Sequence, residues 1–181
     1  EWRLMKYIPF YNFTQRNRFT RQCIGEAIIS LVKTKDFEHI TISDIVKKAG
    51  VSRMTFYKYY HSKKDVIKDY MGEIISGYLE KCDGKFTMKD FQDYQHIKEA
   101  ILFFDNYSDF LLTLSKARQY DIIVEALNEF MLTYVYPEYT GSIYELYFYS
   151  GALLNTFLKW EESGKKEPLD EIVNIILSLI K

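Results

Sequence analysis

Residues 41–65 read TISDIVKKAGVSRMTFYKYYHSKKD, and their spacing predicts two short helices joined by a glycine-bearing turn, each helix opened by a cap. Thr41 can accept from the backbone N–H near Asp44, and Asp44, three residues on, completes a capping box and places negative charge at the positive helix end. Ile42, Ile45, Val46 and Ala49 recur at helical spacing and give one apolar face. Gly50 can leave the helix through a left-handed conformation at little steric cost, Val51 plugs the corner, and Ser52 restarts a helix as its N-cap. This is the pattern of a helix-turn-helix.

In the second helix Phe56 and Tyr60, four apart, are the expected buried positions, which leaves Arg53, Met54, Thr55, Tyr57, Lys58 and Tyr59 facing outward. Cations, hydroxyls and aromatics on one face suit the major groove. Arginine donates to guanine edges, a Thr or Met methyl touches the thymine methyl, and Tyr and Lys reach phosphate oxygens. Ser62 and Asp65 form a second capping box. Lys63 and Lys64 in the turn behind it oppose the helix dipole, which suggests an anion there.

The charge distribution points the same way. Residues 1–64 hold 13 Lys or Arg against 5 Asp or Glu, residues 65–181 hold 11 against 20, and the net −1 hides this polarity. A basic third neutralises phosphates, and an acidic remainder is repelled by them and orients the molecule.

The motifs T-I-S-D-I-V-x-x-A-G-V-S from Thr41 to Ser52, T-F-Y-K-Y-Y from Thr55 to Tyr60 and S-K-K-D from Ser62 to Asp65 resemble the DNA-binding domain of the tetracycline-repressor (TetR) family of one-component bacterial transcription regulators. The resemblance covers about residues 17–82. It implies an all-α fold of about nine helices, a three-helix helix-turn-helix domain followed by a helical ligand-binding and dimerisation domain. It also implies DNA contacts by Thr41, Ser43, Ser52, Arg53, Met54, Thr55, Tyr57, Lys58, Tyr59 and Lys63, with Arg16, Arg18 and Arg21 beside the DNA backbone. Met54 stands where relatives often have a small residue.

Outward from this segment, residues 17–34 are expected to form the first secure helix, with Phe19, Cys23, Ala27 and Leu31 as its stripe and Ile24 and Ile28 widening it. Phe37 and Ile40 close the corner before Thr41. Residues 62–81 make a fourth helix carrying Val66, Tyr70, Ile74 and Tyr78; in the family this helix transmits ligand-induced movement. The helical pattern breaks over residues 83–89, DGKFTMK, giving an expected organisation of 1–16 as an extension, 17–62 as the DNA-binding domain, 63–82 as a connecting helix and 83–181 as the second domain. Five further helices are expected at about 90–104, 107–116, 118–136, 142–162 and 169–180.

Ser142 and Glu145 read as another capping box. Behind them Leu146, Ser150, Leu153 and Phe157 form one stripe and Ile143, Tyr147, Gly151, Leu154 and Leu158 a second, with Glu145, Ala152, Thr156 and Lys159 suited to water. The last helix repeats the theme with Ile172, Ile176 and Leu179. A helix apolar on both flanks is buried on both, by its own domain and a partner or wholly within a monomer's core. In the family these two helices pair with their counterparts in a four-helix bundle, which puts Leu146, Ser150, Leu153, Leu154, Phe157, Ile172, Ile176 and Leu179 at a homodimer interface.

Residues 83–181 hold 18 aromatic side chains, enough to line a pocket for an apolar or aromatic effector or to serve as plain core; no ligand-binding residue is singled out. His39, His61 and His96 are scattered without zinc-site spacing, no nucleophile elbow or phosphate-cradling loop occurs, and no catalytic group, metal or cofactor is expected. No apolar run reaches about 18 residues, so no membrane span is expected. Cys23 and Cys82 read as buried, reduced thiols of a cytoplasmic protein. Residues 1–15, aromatic but aperiodic and without a signal-peptide pattern, receive no function. The reading is an operator-binding homodimer that represses until a small molecule shifts its two heads. The alternative is a regulator of the same fold that binds ligand or protein but not DNA.

Overall fold

The computed structural model describes residues 15–81, 89 and 92–179. Nine α-helices and no strand occur among them, the all-α class expected. The helices fall into two compact units, 1–76 and 77–181, so the division lies inside the fourth helix. The pattern break at 83–89 lies, apart from Lys89, outside the described residues, as do the first fourteen residues and Cys82.

The first unit comprises α1 (Gln15–Val32), a 3-10 turn (Phe37–His39), α2 (Ile42–Ala49), α3 (Arg53–Tyr59) and the first part of α4 (Lys63–Lys81). Its core is a small apolar cluster of Ile24, Ile28, Phe37, Ile45, Phe56 and Ile67, each at most 1% exposed. Phe56 and Tyr60 are buried as expected. The α1 stripe is turned relative to expectation: Phe19 is 68% exposed, Cys23 and Leu31 are half-buried, and Ile24, Ala27 and Ile28 face the core. A helix with apolar residues on neighbouring ridges can bury either by rotating about 100°, one residue's worth, and the packing against α2 selects the 24/27/28 ridge. Gly25 permits a close approach to α4, since a Cβ there would lie 2.7 Å from the Tyr70 ring.

The second unit carries α5 (Tyr94–Asp105), α6 (Ser108–Lys116), α7 (Tyr120–Phe130), α8 (Ile143–Glu162) and α9 (Leu169–Leu179). The single helix expected over 118–136 ends at Phe130 and continues as a π turn, Met131–Val135, and a 3-10 turn, Tyr136–Glu138, with Pro137 at its start. Ser142 caps α8 by accepting from Tyr144 N–H at 3.3 Å, one residue short of the expected box with Glu145.

The interface stripes of α8 and α9 are corrected. Leu146, Ser150, Leu154, Phe157, Ile172 and Ile176 are all buried within the single chain, and Ser150 Oγ donates to Asn128 Oδ1 on α7 at 2.6 Å. These side chains are the unit's own core. Leu153 is half-buried, and Leu179 is 73% exposed. The apolar side chains that α8 and α9 leave in water are Tyr144, Tyr147, Phe148, Ile175 and Leu179. Of the expected wet strip Glu145 and Lys159 are exposed and Ala152 and Thr156 half-buried, while Tyr144, Phe148 and Asn155 are exposed beside them.

Candidate nucleic-acid interface

The expected caps of α2 and α3 form. Thr41 Oγ1 accepts from Asp44 N–H at 3.2 Å, and Thr41 N–H and hydroxyl donate to Asp44 Oδ2 at 2.9 and 2.8 Å. Lys35 Nζ joins the same oxygen at 2.7 Å. This ammonium, with the two Thr41 donors, holds the Asp44 carboxyl far below the ordinary carboxylate range. Gly50 closes α2 in the left-handed region at φ 68°, ψ 30°, and Val51 N–H returns to the Val46 carbonyl at 3.1 Å, satisfying an orphan acceptor of the helix end. Ser52 Oγ then accepts from Thr55 N–H at 3.0 Å and opens α3.

This local chemistry sets which face of α3 looks outward. Phe56 enters the core, and Ser52, Arg53, Met54, Tyr57 and Lys58 are exposed, as are Thr41 and Ser43 on the α2 side. Thr55 and Tyr59 are half-buried and already engaged: Thr55 Oγ1 shares a hydrogen with Ser52 Oγ at 2.9 Å, and Tyr59 hydroxyl donates to Asn17 Oδ1 on α1 at 2.7 Å. Arg53 Nη2 donates to Ser43 Oγ at 2.7 Å, which ties α3 to α2 and leaves the rest of the guanidinium fork facing water. From residue 45 to residue 64 there is no acidic side chain, against six Lys or Arg. An exposed helix on an acid-free, cation-bearing stretch presents a positive potential to a polyanion.

Lys63 needs a different account from the anion expected at its helix end. Its Nζ donates to the carbonyls of Phe37 at 2.5 Å and of Glu38 and Ile40 at 3.1 Å, and it sits 4.5 Å from the centre of the Phe37 ring. All three ammonium protons serve the end of the 3-10 turn. The charge that opposes the α4 dipole is thus compensated by internal carbonyls. Beside it the Ser62–Asp65 box forms, with Ser62 N–H donating to Asp65 Oδ2 at 2.8 Å and Asp65 N–H to Ser62 Oγ at 3.2 Å.

Arg21 is also relocated. Its side chain is 10% exposed and makes a two-pronged pair with Asp69 on α4, Nε to Oδ2 at 2.9 Å and Nη2 to Oδ1. Tyr60, the residue that ends α3, donates its hydroxyl to Asp69 Oδ2 at 2.5 Å. Burial first, and then the Asp69 charge, push this phenol well above its ordinary range, so it stays a donor. Arg18 remains exposed. Neither the Arg21–Asp69–Tyr60 cluster nor Asn17–Tyr59 was visible in the sequence, because each joins residues at least nine apart with no motif between them.

Residues 24–70 match the family model described as bacterial regulatory proteins, tetR family. These residues carry a TetR-family N-terminal domain. The chain is similar to a relative from Bacillus subtilis (strain 168), the uncharacterized HTH-type transcriptional regulator YxbF, 39% identical over 67 residues. That match takes in 37% of this chain and spans 18% of the relative's length. Among solved structures, a TetR transcriptional regulator from Streptococcus agalactiae 2603V superposes with a TM-score of 0.66 at 19% identity, covering 92% of this chain and 96% of that one. The transcriptional regulator FadR from Bacillus subtilis, solved in complex with stearoyl-CoA, gives a TM-score of 0.53 at 20% identity, covering 88% and 96%. These two likenesses establish the TetR-type fold along most of the chain. Among the described residues no cluster of three His, Cys, Asp or Glu side chains could hold a metal ion, and no helix is long and apolar enough to cross a membrane.

Proposed function

We propose that the chain is a one-component transcription regulator that binds pseudo-palindromic operator DNA as a homodimer, represses the gene beneath it in the cytoplasm, and is released by a small apolar or aromatic effector. The observation that carries the reading is the exposed, acid-free face of α3 standing on the left-handed Gly50 turn. Base edges are met by Arg53, Met54 and Tyr57, and phosphates by Lys58 with the hydroxyls of Thr41, Ser43 and Ser52. Thr55 and Tyr59 act from behind, by holding the helix start and its seat on α1. The acidic second unit keeps the rest of the molecule off the duplex.

Dimerisation is assigned to the exposed apolar side chains of α8 and α9, Tyr144, Tyr147, Phe148, Ile175 and Leu179, with half-buried Leu153, in place of the stripe that the chain buries itself. A two-fold pair would present two α3 helices to half-sites about one DNA turn (~34 Å) apart or a multiple of it. An aromatic cluster in the second unit, where Tyr78 packs on Phe103, Phe104 and Phe130 and its hydroxyl meets His96 Nε2 at 3.0 Å, offers the surroundings an apolar effector needs.

The test is selection of duplexes from a randomised pool, followed by gel-shift titration of the selected duplex at two salt concentrations. The reading expects a palindromic consensus and an affinity that falls steeply with salt. Recovery of no preferred duplex would overturn it in favour of a regulator that keeps the fold and acts through its second unit alone.

A further inference from the structure

The outward chemistry of α3 is less polar than its sequence suggests. Thr55 and Tyr59 have their hydroxyls engaged inside the domain, and Arg53 is drawn toward Ser43. Met54 stands well into water, 85% exposed, with Tyr57 one helical turn on at 53%. The Tyr57 ring meets buried Phe56 edge-on, centroids 5.6 Å apart at 87°, and lies on the same side of α3 as the thioether, three residues on. An isolated exposed methionine is ordinary. This one lies at the first turn of α3, on its outward face, with Arg53 before it and Lys58 four residues on.

In the major groove one base-edge feature is apolar, the C5-methyl of thymine. A thioether has no proton to donate and is a weak acceptor, so it cannot discriminate guanine, cytosine or adenine by hydrogen bonding. Its flexible, polarizable chain does pack well against a methyl group. Resting on the operator-binding reading above, we infer that Met54 determines specificity by seating against a thymine methyl in each half-site, with Tyr57 as the flank that keeps water from the contact. The remaining Arg53 donors would then read the neighbouring base pair, displaced from Met54 by the bond to Ser43.

Uracil substitution isolates this contact, because it deletes the methyl and preserves every hydrogen-bonding group. On the duplex selected from a random pool, each thymine of one half-site is replaced in turn by uracil. Wild-type protein should lose about three- to tenfold in affinity at one position, the scale of burying a single methyl group. Met54→Ala should bind the thymine duplex with a loss of the same size and show no further loss at that position, while Met54→Leu should keep most of the sensitivity. With its side chain in water, the alanine variant should unfold at the wild-type denaturant midpoint. A selected duplex with no uracil-sensitive position, or a Met54→Ala protein that keeps the sensitivity, overturns this inference and leaves operator binding standing. Failure to select any duplex overturns both.

Discussion

Tyr60 ends α3, and its hydroxyl donates at 2.5 Å to Asp69, a residue of the following helix that is itself gripped by Arg21 of the first. One carboxylate thus joins α1, the end of α3 and α4. Tyr60→Phe deletes the α3 arm alone and should cost about 1–2 kcal/mol. Asp69→Ala leaves a nearly buried guanidinium without its carboxylate and should cost about 3–5 kcal/mol. Urea denaturation measures both, and equal losses would contradict the hub.

Gly50 is a second fixed point, at the turn between α2 and α3. A Cβ there would meet nothing within 4 Å, so the cost of Gly50→Ala comes from backbone strain at φ 68° alone, about 1 kcal/mol. Asn tolerates the left-handed region better, and Gly50→Asn should recover roughly half of that loss. Denaturant midpoints of the three proteins check the order, and an alanine variant as stable as wild type would refute it.

Lysines 58 and 63 should separate cleanly. Lys63→Met keeps the alkyl stem near Phe37 and removes three hydrogen bonds to carbonyls, so stability should fall by about 1–3 kcal/mol. Its affinity for DNA should keep the wild-type salt slope. Lys58→Ala, on the exposed face, should leave stability within about 0.5 kcal/mol and reduce the slope of log K against log salt by about one. A slope change in the Lys63 variant would restore the phosphate contact that its three carbonyl partners argue against.

The helix-turn-helix was legible because each of its signals is local. Thr41 acts with Asp44 and Ser52 with Thr55, each three residues apart, Gly50 acts on the helix end it closes, and periodicity places Phe56 and Tyr60. Which ridge of α1 is buried, where Lys63 ends, and what Arg21 pairs with depend on α4 and on the 3-10 turn, and a side chain's partner twenty or more residues away leaves no trace in spacing. The α8 stripes failed for a related reason. Their apolar periodicity was real, but a helix apolar nearly all round does not say which side the chain covers itself.

Glu161 on α8 gives the second unit a pH signature. It is buried, lies near Asp105, and has Lys165 Nζ at 3.4 Å. Burial first, then the hydrogen bond and repulsion from Asp105, raise its pKa against the opposing pull of Lys165. A carboxyl raised on folding contributes stability below its ordinary value and loses it as pH rises through the folded value. Ionised Glu161 therefore costs stability at neutral pH. Glu161→Gln should raise the melting temperature at pH 7 by about 2–4 °C, the equivalent of about 1 kcal/mol in a chain of this size. The gain should shrink toward zero as the pH falls toward 4. A gain that grows on acidification would reverse the assigned sign.

The assignment of the dimer face turns on Phe148 and Leu146, two residues apart on α8. Phe148 is 60% exposed and Leu146 is fully buried, so the same helix offers a test of interface and a test of core. If the exposed side carries the partner, Phe148→Glu places one charge per subunit in an apolar contact, where each lacks a counter-charge. The variant should sediment as a monomer at micromolar concentration with its helical circular dichroism intact, and operator affinity should collapse because one half-site holds one head. Leu146→Ala instead removes core packing and should cost about 2–5 kcal/mol, while the surviving folded fraction still pairs. A Phe148→Glu protein that stays dimeric places the partner elsewhere; a Leu146→Ala protein that becomes monomeric without losing stability returns the interface to the stripe that the sequence alone suggests.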